Sequence, residues 1–121
     1  MGLWRRYLAW RQRHIVGLEL TGSGFAIVGH RDRVDIRWDA VQRINAYKRD
    51  LYTVDLLCLA ILAGEQVVEV DERMEGFEAF DAAMHDALGI TPAWKLDVLF
   101  PAFEENTTEI YRRDDGGADW V

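Results

Sequence analysis

Hydrophobic and polar residues alternate with a period of two through most of residues 34–70. This spacing is typical of β-strands, because successive side chains of a strand point to opposite faces. One apolar face is formed by Val34, Ile36 and Trp38, and this predicts a strand with one side in the core and the other in water. Residues 54–62 are apolar on both faces, which favours an interior strand. The segment therefore predicts several antiparallel strands.

Turn and helix signals on either side of this segment complete the predicted fold. Ile15, Val16, Leu18 and Leu20 begin a predicted strand, residues 25–28 are apolar, and the sequence Thr-Gly-Ser-Gly between them predicts a hairpin. Residues 75–88 have helical periodicity, and Gly89 follows as a C-cap. A last strand is predicted over residues 107–111. We expect an α+β fold: a mainly antiparallel curled sheet or partly open barrel of about six strands, capped by one amphipathic helix, with a short N-terminal helix.

The two ends of the chain are predicted as separate segments. Residues 1–14 place apolar and basic side chains on opposite sides of a helical wheel, which predicts a basic amphipathic helix. Such a helix suits contact with a membrane surface, with another subunit or with the domain itself. Residues 15–112 form one predicted globular domain, and residues 113–121 form a predicted flexible acidic tail. The helix residues that we expect to contact a membrane or a partner are Trp4, Arg5, Arg6, Leu8, Trp10 and Arg13.

Length and composition favour a single soluble domain. The chain has 121 residues, of which 50% are hydrophobic, and this is enough to bury one core. Cys58 is the only cysteine, so no intramolecular disulfide can form, and its apolar neighbours predict a buried thiol. The longest apolar run, residues 56–63, is much shorter than the roughly 20 residues that span a bilayer. The N-terminal sequence does not have the pattern of a signal peptide. These features predict a cytoplasmic protein.

The net charge of −7 is unevenly distributed along the chain. Residues 1–16 carry four bases and no acid, and residues 17–64 carry six of each. Residues 65–121 carry fifteen acids and four bases, a balance of −11. Such a field repels nucleic-acid phosphates over most of the surface and attracts basic proteins. We therefore expect a basic protein partner and no nucleic-acid partner.

The residue types that support catalysis or cofactor binding do not form a recognised pattern in this sequence. Ser23 lies in a predicted turn, outside the strand-to-helix context of a serine hydrolase. The three histidines are scattered without the spacing of zinc ligands. Glu78, Asp81 and His85 share the polar face of the predicted helix, where they could bind a metal, although a solvated helix face accounts for the same spacing. We expect no enzymatic activity, no cofactor and no metal.

Aromatic and charged residues crowd residues 46–55. One interpretation is a corner of the sheet held by ion pairs, in which Asp50 and Asp55 pair with neighbouring bases or cap turns. The other is a recognition surface, because exposed tyrosine and arginine are enriched at protein interfaces. The pattern does not distinguish between them, so Tyr47, Arg49 and Asp50 are candidate partner-binding residues.

Three short segments of the chain are distinctive: Ala-Tyr-Lys-Arg-Asp at 46–50, Thr-x-Asp-Leu-Leu-Cys-Leu at 53–59 and Pro-Ala-Phe-Glu-Glu-Asn at 101–106. They resemble segments of small uncharacterised bacterial proteins, and the similarity extends over about residues 34–112. The order of elements, several strands followed by one helix, is also similar to the bacterial pleckstrin-homology-like fold. Domains of that kind mostly bind peptides, proteins or lipid headgroups, so the resemblance implies a binding function.

The acidic second half of the chain supplies the leading functional hypothesis. We expect a non-catalytic protein-binding domain with an acidic docking face, and an immunity-type inhibitor of a basic toxin enzyme is one form of it. A peripheral membrane or lipid-headgroup-binding module that uses residues 1–14 is the second hypothesis. A small-molecule binder or enzyme with Tyr47, Asp50 and Asp55 at its mouth is the third, and a homodimer is compatible with all three. The docking face would consist of Glu69, Asp71, Glu72, Glu75 and Glu78.

Overall fold

The computed structural model describes residues 15–50, 55–99 and 107–113 of the chain. These residues form seven β-strands in two antiparallel sheets, together with two α-helices. The predicted α+β class and the antiparallel strand arrangement are therefore confirmed. The elements are β1 (Ile15–Leu20), β2 (Gly24–Gly29), β3 (Arg33–Arg37), β4 (Val41–Asp50), β5 (Asp55–Ala63), β6 (Gln66–Asp71), α1 (Phe77–Leu88), α2 (Trp94–Leu99) and β7 (Thr108–Arg112).

The first sheet contains β1, β2 and β3, paired in that order. Strands β1 and β2 form the predicted hairpin, and their register places Leu18 opposite Ile27. Strand β3 lies at the edge of this sheet, where exposed ion pairs join Arg33 to Asp35 and to Glu19. Charged side chains on an edge strand discourage pairing with other chains, so this edge is protected.

The second sheet contains four strands in the order β6, β5, β4, β7. Strand β5 is flanked by β4 and β6, so the predicted interior strand is confirmed. Its side chains are buried on both faces, as Leu59 and Cys58 illustrate. Strand β7 pairs with β4, and Arg112 donates hydrogen bonds of 2.9 and 2.7 Å to Glu109. These hydrogen bonds lower the pKa of the Glu109 carboxyl.

Helix α1 packs against the first sheet through a cluster of aromatic rings. Phe80 meets Phe25 of β2 edge to face, with ring centroids 4.8 Å apart. Trp38 lies 5.0 Å from Phe25 and 5.9 Å from Phe80, and Phe77 lies 5.9 Å from Phe80. The two helix phenylalanines belong to the apolar stripe that the sequence predicts, so the main helix is confirmed.

The two sheets do not close into a barrel. A 3-10 helix at Trp38–Ala40 separates β3 from β4, and these consecutive strands belong to different sheets. In the described part of the chain, one parallel bridge between Gly17 and Glu75 connects β1 to the segment after β6. The prediction of a single six-stranded curled sheet or barrel is therefore wrong, because the alternating pattern is interrupted at the 3-10 helix and the strands divide into sheets of three and four.

Arg113 holds the junction at which the sheets divide. Its side chain donates hydrogen bonds of 2.9 Å to the carbonyl oxygens of Val41 and Trp38, and its backbone N–H donates to the carbonyl of Gln42. The sequence prediction assigned Arg113 to the tail, whereas the structure anchors it to the start of β4. The rest of the predicted tail and the predicted N-terminal helix, residues 1–14, lie outside the described residues.

Candidate functional site

An acidic groove lies where β6 connects to α1. Its volume is about 470 Å³. Met74 and Phe77 are buried and form its apolar floor, while Glu72 and Glu78 are exposed at its rim. Glu75 is exposed on the same connection. We define the acidic groove as the lining residues together with Glu75: Glu72, Met74, Glu75, Gly76, Phe77, Glu78 and Ala79.

Backbone hydrogen bonds fold this connection tightly and set the positions of its carboxylates. The Met74 N–H donates to the Asp71 carbonyl at 3.1 Å, and the Phe77 N–H donates to the Met74 carbonyl at 3.1 Å. The Asp71 carboxylate accepts a hydrogen bond of 2.9 Å from the Arg73 N–H. Gly76 precedes α1 with a φ of 87°, in the left-handed region that glycine adopts at no steric cost. Consecutive turns therefore lead directly from the strand into the helix.

The same connection is attached to both sheets. The Glu72 carboxylate accepts a hydrogen bond of 3.0 Å from the Leu57 N–H of β5, and the Glu72 N–H donates to the Leu57 carbonyl at 3.1 Å. The Glu75 carbonyl accepts a hydrogen bond of 2.8 Å from the Leu18 N–H of β1, beside the bridge to Gly17. Hydrogen bonds therefore join the connection to one strand of each sheet.

The groove suits a side chain that is apolar along its stem and cationic at its end. Lysine and arginine stems pack on apolar surfaces while their charged heads reach water or an ion-pair partner. Met74 and Phe77 line the groove with the small part of their surfaces that is exposed, 8% and 7%, and the exposed carboxylates lie beside them. Glu78 lies in the first turn of α1, where a negative charge also interacts favourably with the helix dipole. The groove therefore places apolar and anionic groups side by side.

Two of the predicted docking residues are buried. Glu69 is 0% exposed and Asp71 is 1% exposed. Glu69 forms an ion pair with Arg49 of β4, with 2.9 Å between Oε2 and Nη2. The register places Glu69 opposite Ala60 and Asp71 opposite Cys58, so the small side chains of β5 leave room for Arg49 and Glu69 to meet across that strand. Burial removes both acids from the surface that a partner can touch.

The residues of the predicted recognition corner lie close to this ion pair. Tyr47 and Arg49 are half-buried on the same face of the second sheet. Arg49 pairs with Glu69, which gives this arginine a structural role and favours the ion-pair interpretation of the corner. The observed partner lies on β6, whereas the sequence prediction named Asp50 and Asp55. Asp50 ends β4, and its side chain lies outside the described part of the structure.

The three helix residues considered as metal ligands are not all brought together. Asp81 Oδ1 and His85 Nε2 lie 3.6 Å apart, but Glu78 is exposed at the acidic groove. Within residues 15–50, 55–99 and 107–113, no three histidine, cysteine, aspartate or glutamate side chains form a group that could hold a metal ion. The solvated-face interpretation is also incomplete, because contacts from α2 leave Asp81 buried and His85 half-buried.

The residues predicted for membrane or partner contact at the N-terminus lie outside the described residues: Trp4, Arg5, Arg6, Leu8, Trp10 and Arg13. Among the described helices, none has the length and apolar character needed to cross a membrane. No protein-family model, curated protein or solved structure matches this chain.

Proposed function

We propose that this protein is a non-catalytic protein-binding domain that docks a basic partner at the acidic groove. The observation that supports the proposal is the exposure of Glu72 and Glu75 on a connection that is bonded to both sheets, and of Glu78 in the first turn of α1, beside Met74 and Phe77. An immunity-type inhibitor, which blocks a basic toxin enzyme by docking on it, is the form of this function that we favour.

The distribution of charge supports a basic partner. The whole chain carries −7, and residues 65–121, which contain the groove, carry −11. Attraction between opposite charges raises the association rate and falls as ionic strength rises. At contact, apolar stems of the partner pack on Met74 and Phe77 and exclude water from ion pairs at the rim. Opposite charges thus raise the association rate, and the shape of the groove selects among basic partners.

Neutralising the three exposed carboxylates is expected to weaken binding of a basic ligand by about 10- to 100-fold at low salt, because each rim charge contributes up to about 1 kcal/mol. The substitutions are Glu72→Gln, Glu75→Gln and Glu78→Gln. They preserve side-chain size, and the amide oxygen introduced by Glu72→Gln still accepts from the Leu57 N–H. Fluorescence anisotropy with a labelled peptide of alternating arginine and leucine, at low and moderate ionic strength, measures the effect.

A matched triple variant separates the groove from net charge. Glu19→Gln, Glu65→Gln and Asp86→Asn remove the same number of exposed charges from β1, from the β5–β6 turn and from the far end of α1. We expect this control to change the affinity by no more than about twofold, because salt screens distant surface charges. Equal losses in the two triple variants would assign the effect to net charge. The proposal would be contradicted if the groove variant bound the peptide as tightly as the parent protein does, or if binding by the parent protein did not weaken as salt is added.

A further inference from the structure

Polar side chains form a chain of contacts where α1 meets α2, away from the acidic groove. The indole N–H of Trp94 donates a hydrogen bond of 2.9 Å to His85 Nε2. Lys95 Nζ donates to Asp81 Oδ2, and the other oxygen of that carboxylate, Oδ1, lies 3.6 Å from His85 Nε2. Trp94 and Asp81 are buried, with exposures of 6% and 8%, and His85 is half-buried. The two helices therefore meet through ionisable groups that are largely shielded from water.

The hydrogen bond from Trp94 requires His85 Nε2 to be the acceptor. An indole N–H can only donate, so His85 Nε2 must accept, and the imidazole is neutral with its proton on Nδ1. Asp81 Oδ1 is buried and receives no hydrogen bond from the described residues. It faces an imidazole nitrogen that has no proton to donate in this state. A buried carboxylate oxygen without a donor is costly, so a proton on Nε2 would satisfy it.

We propose that His85 is a proton-operated latch between α1 and α2. In the neutral state Nε2 accepts from Trp94 and holds α2 against α1. When the imidazole takes a proton from solvent, Nε2 becomes an N–H donor; it can no longer accept from the indole, and Asp81 Oδ1 is the acceptor beside it. Protonation exchanges one hydrogen bond for another and releases the indole of Trp94.

The charges around the imidazole decide whether this exchange is favourable. Asp81, on the same helix, attracts an imidazolium, and Lys95, on α2, opposes it. The Lys95 side chain is 34% exposed and the Asp81 side chain 11%, so water screens the ammonium more than the carboxylate. Asp86 adds a negative charge on α1, and Lys48 and Tyr111 are the titratable groups on the face of the second sheet that is directed toward the core. The buried charges around the imidazole therefore include both signs, the Asp81 carboxylate and the Lys48 ammonium, and Asp81 is the one whose oxygen lies next to Nε2.

Release of Trp94 changes a second groove on the surface. Trp94 lines this groove, which has a volume of about 520 Å³ and lies between the α1–α2 connection and β7. All residues of β7, Thr108–Arg112, line it as well. Since neighbouring residues of a strand point to opposite faces, a groove that touches consecutive residues must follow the edge of the strand. Movement of the indole therefore alters access to the edge of β7.

Nuclear magnetic resonance of the intact protein tests the latch directly. At about pH 8 we expect the His85 ring to carry its proton on Nδ1. As the pH is lowered from about 8 to about 5, we expect the Trp94 indole signal and the His85 ring signals to change together. A proton on Nε2 at the higher pH would overturn the proposal. So would an indole signal that stays constant while the His85 ring signals change.

Two substitutions at histidine positions make the test specific. His85→Gln removes the titrating group, and we expect it to abolish the pH-dependent movement of the Trp94 signal. His30→Gln, in the exposed turn between β2 and β3, is the matched control and is expected to leave that movement unchanged. Trp94→Phe identifies the indole signal among the five tryptophans. If the Trp94 signal still moved with pH in His85→Gln, the latch would be contradicted. The position of the proton on the His85 ring is measured on the parent protein, so that part of the test needs no variant.

Discussion

Replacing Phe80 with alanine is expected to lower the free energy of unfolding by about 3–5 kcal/mol, the range found for fully buried aromatic residues. Phe80 is 0% exposed, and its ring meets those of Phe25, Trp38 and Phe77. Alanine leaves a cavity between these rings and removes the edge-to-face contact with Phe25. Because domains of this kind are stable by about 5–15 kcal/mol in total, the change removes a large part of the stability.

Urea unfolding followed by circular dichroism measures the loss. Phe80→Leu keeps the site apolar and most of its volume, so we expect it to cost less than Phe80→Ala, about 1–1.5 kcal/mol. Leu20→Ala is the surface control, because Leu20 is 47% exposed, and its effect should stay within about 0.5 kcal/mol. An unchanged unfolding midpoint in Phe80→Ala, or an equal loss in Leu20→Ala, would show that the aromatic cluster is not the centre of the core.

The parts of the fold that could be predicted from the sequence are those set by local periodicity. The apolar stripe of α1 and the two-sided apolar run of β5 each lie within one element, so their spacing identifies them. The division into two sheets could not be predicted in this way. Trp38 continues the alternation of β3 but begins a 3-10 helix, and Arg113, which binds its carbonyl, is 75 residues further along the chain. A contact so distant in sequence leaves no trace in the local pattern.

In the candidate site, too, some features follow from the local sequence pattern and others depend on contacts that are distant in sequence. The exposure of Glu72 follows from its place in a polar connection, and that of Glu78 from its place on the polar face of α1. Glu69 has the same polarity, yet it is buried by an ion pair with Arg49, 20 residues away in sequence and on the far side of β5. The burial of Asp81 likewise depends on contacts from α2. Alternation shows which face of an element a side chain occupies, but not whether another segment covers that face.

Replacing Gly76 with alanine is expected to cost roughly 2–5 kcal/mol, the sum of backbone strain and a weakened buried hydrogen bond. With a φ of 87°, an alanine here would adopt the left-handed conformation that L-residues avoid, at about 1–2 kcal/mol. Its Cβ would also lie 2.3 Å from the Leu18 carbonyl oxygen. Strand β1 must then move away, which stretches the bond of 2.8 Å from the Leu18 N–H to the Glu75 carbonyl. Urea unfolding gives the total loss.

Two other glycines separate the strain from the close contact. Gly64 and Gly89 also have positive φ, of 63° and 68°, but a Cβ at either position would meet nothing within 4 Å. Gly64→Ala and Gly89→Ala should therefore show the strain alone, about 1–2 kcal/mol. The excess loss in Gly76→Ala measures the contact between β1 and the connection. Equal losses at all three positions would mean that β1 adapts to the added methyl group at no cost.

The same variants test whether docking depends on the geometry of the acidic groove as well as on its charge. Gly76 lines the groove between Glu75, whose carbonyl is bonded to β1, and the first turn of α1, which carries Glu78. Under conditions where the variants are folded, Gly76→Ala should weaken binding of the arginine–leucine peptide, while Gly64→Ala, at the far turn, should not. If folded Gly76→Ala bound the peptide as tightly as the parent protein does, only the charge of the three carboxylates, and not their placement, would be needed for binding. The carboxylates would then attract the peptide without holding it in a defined pose.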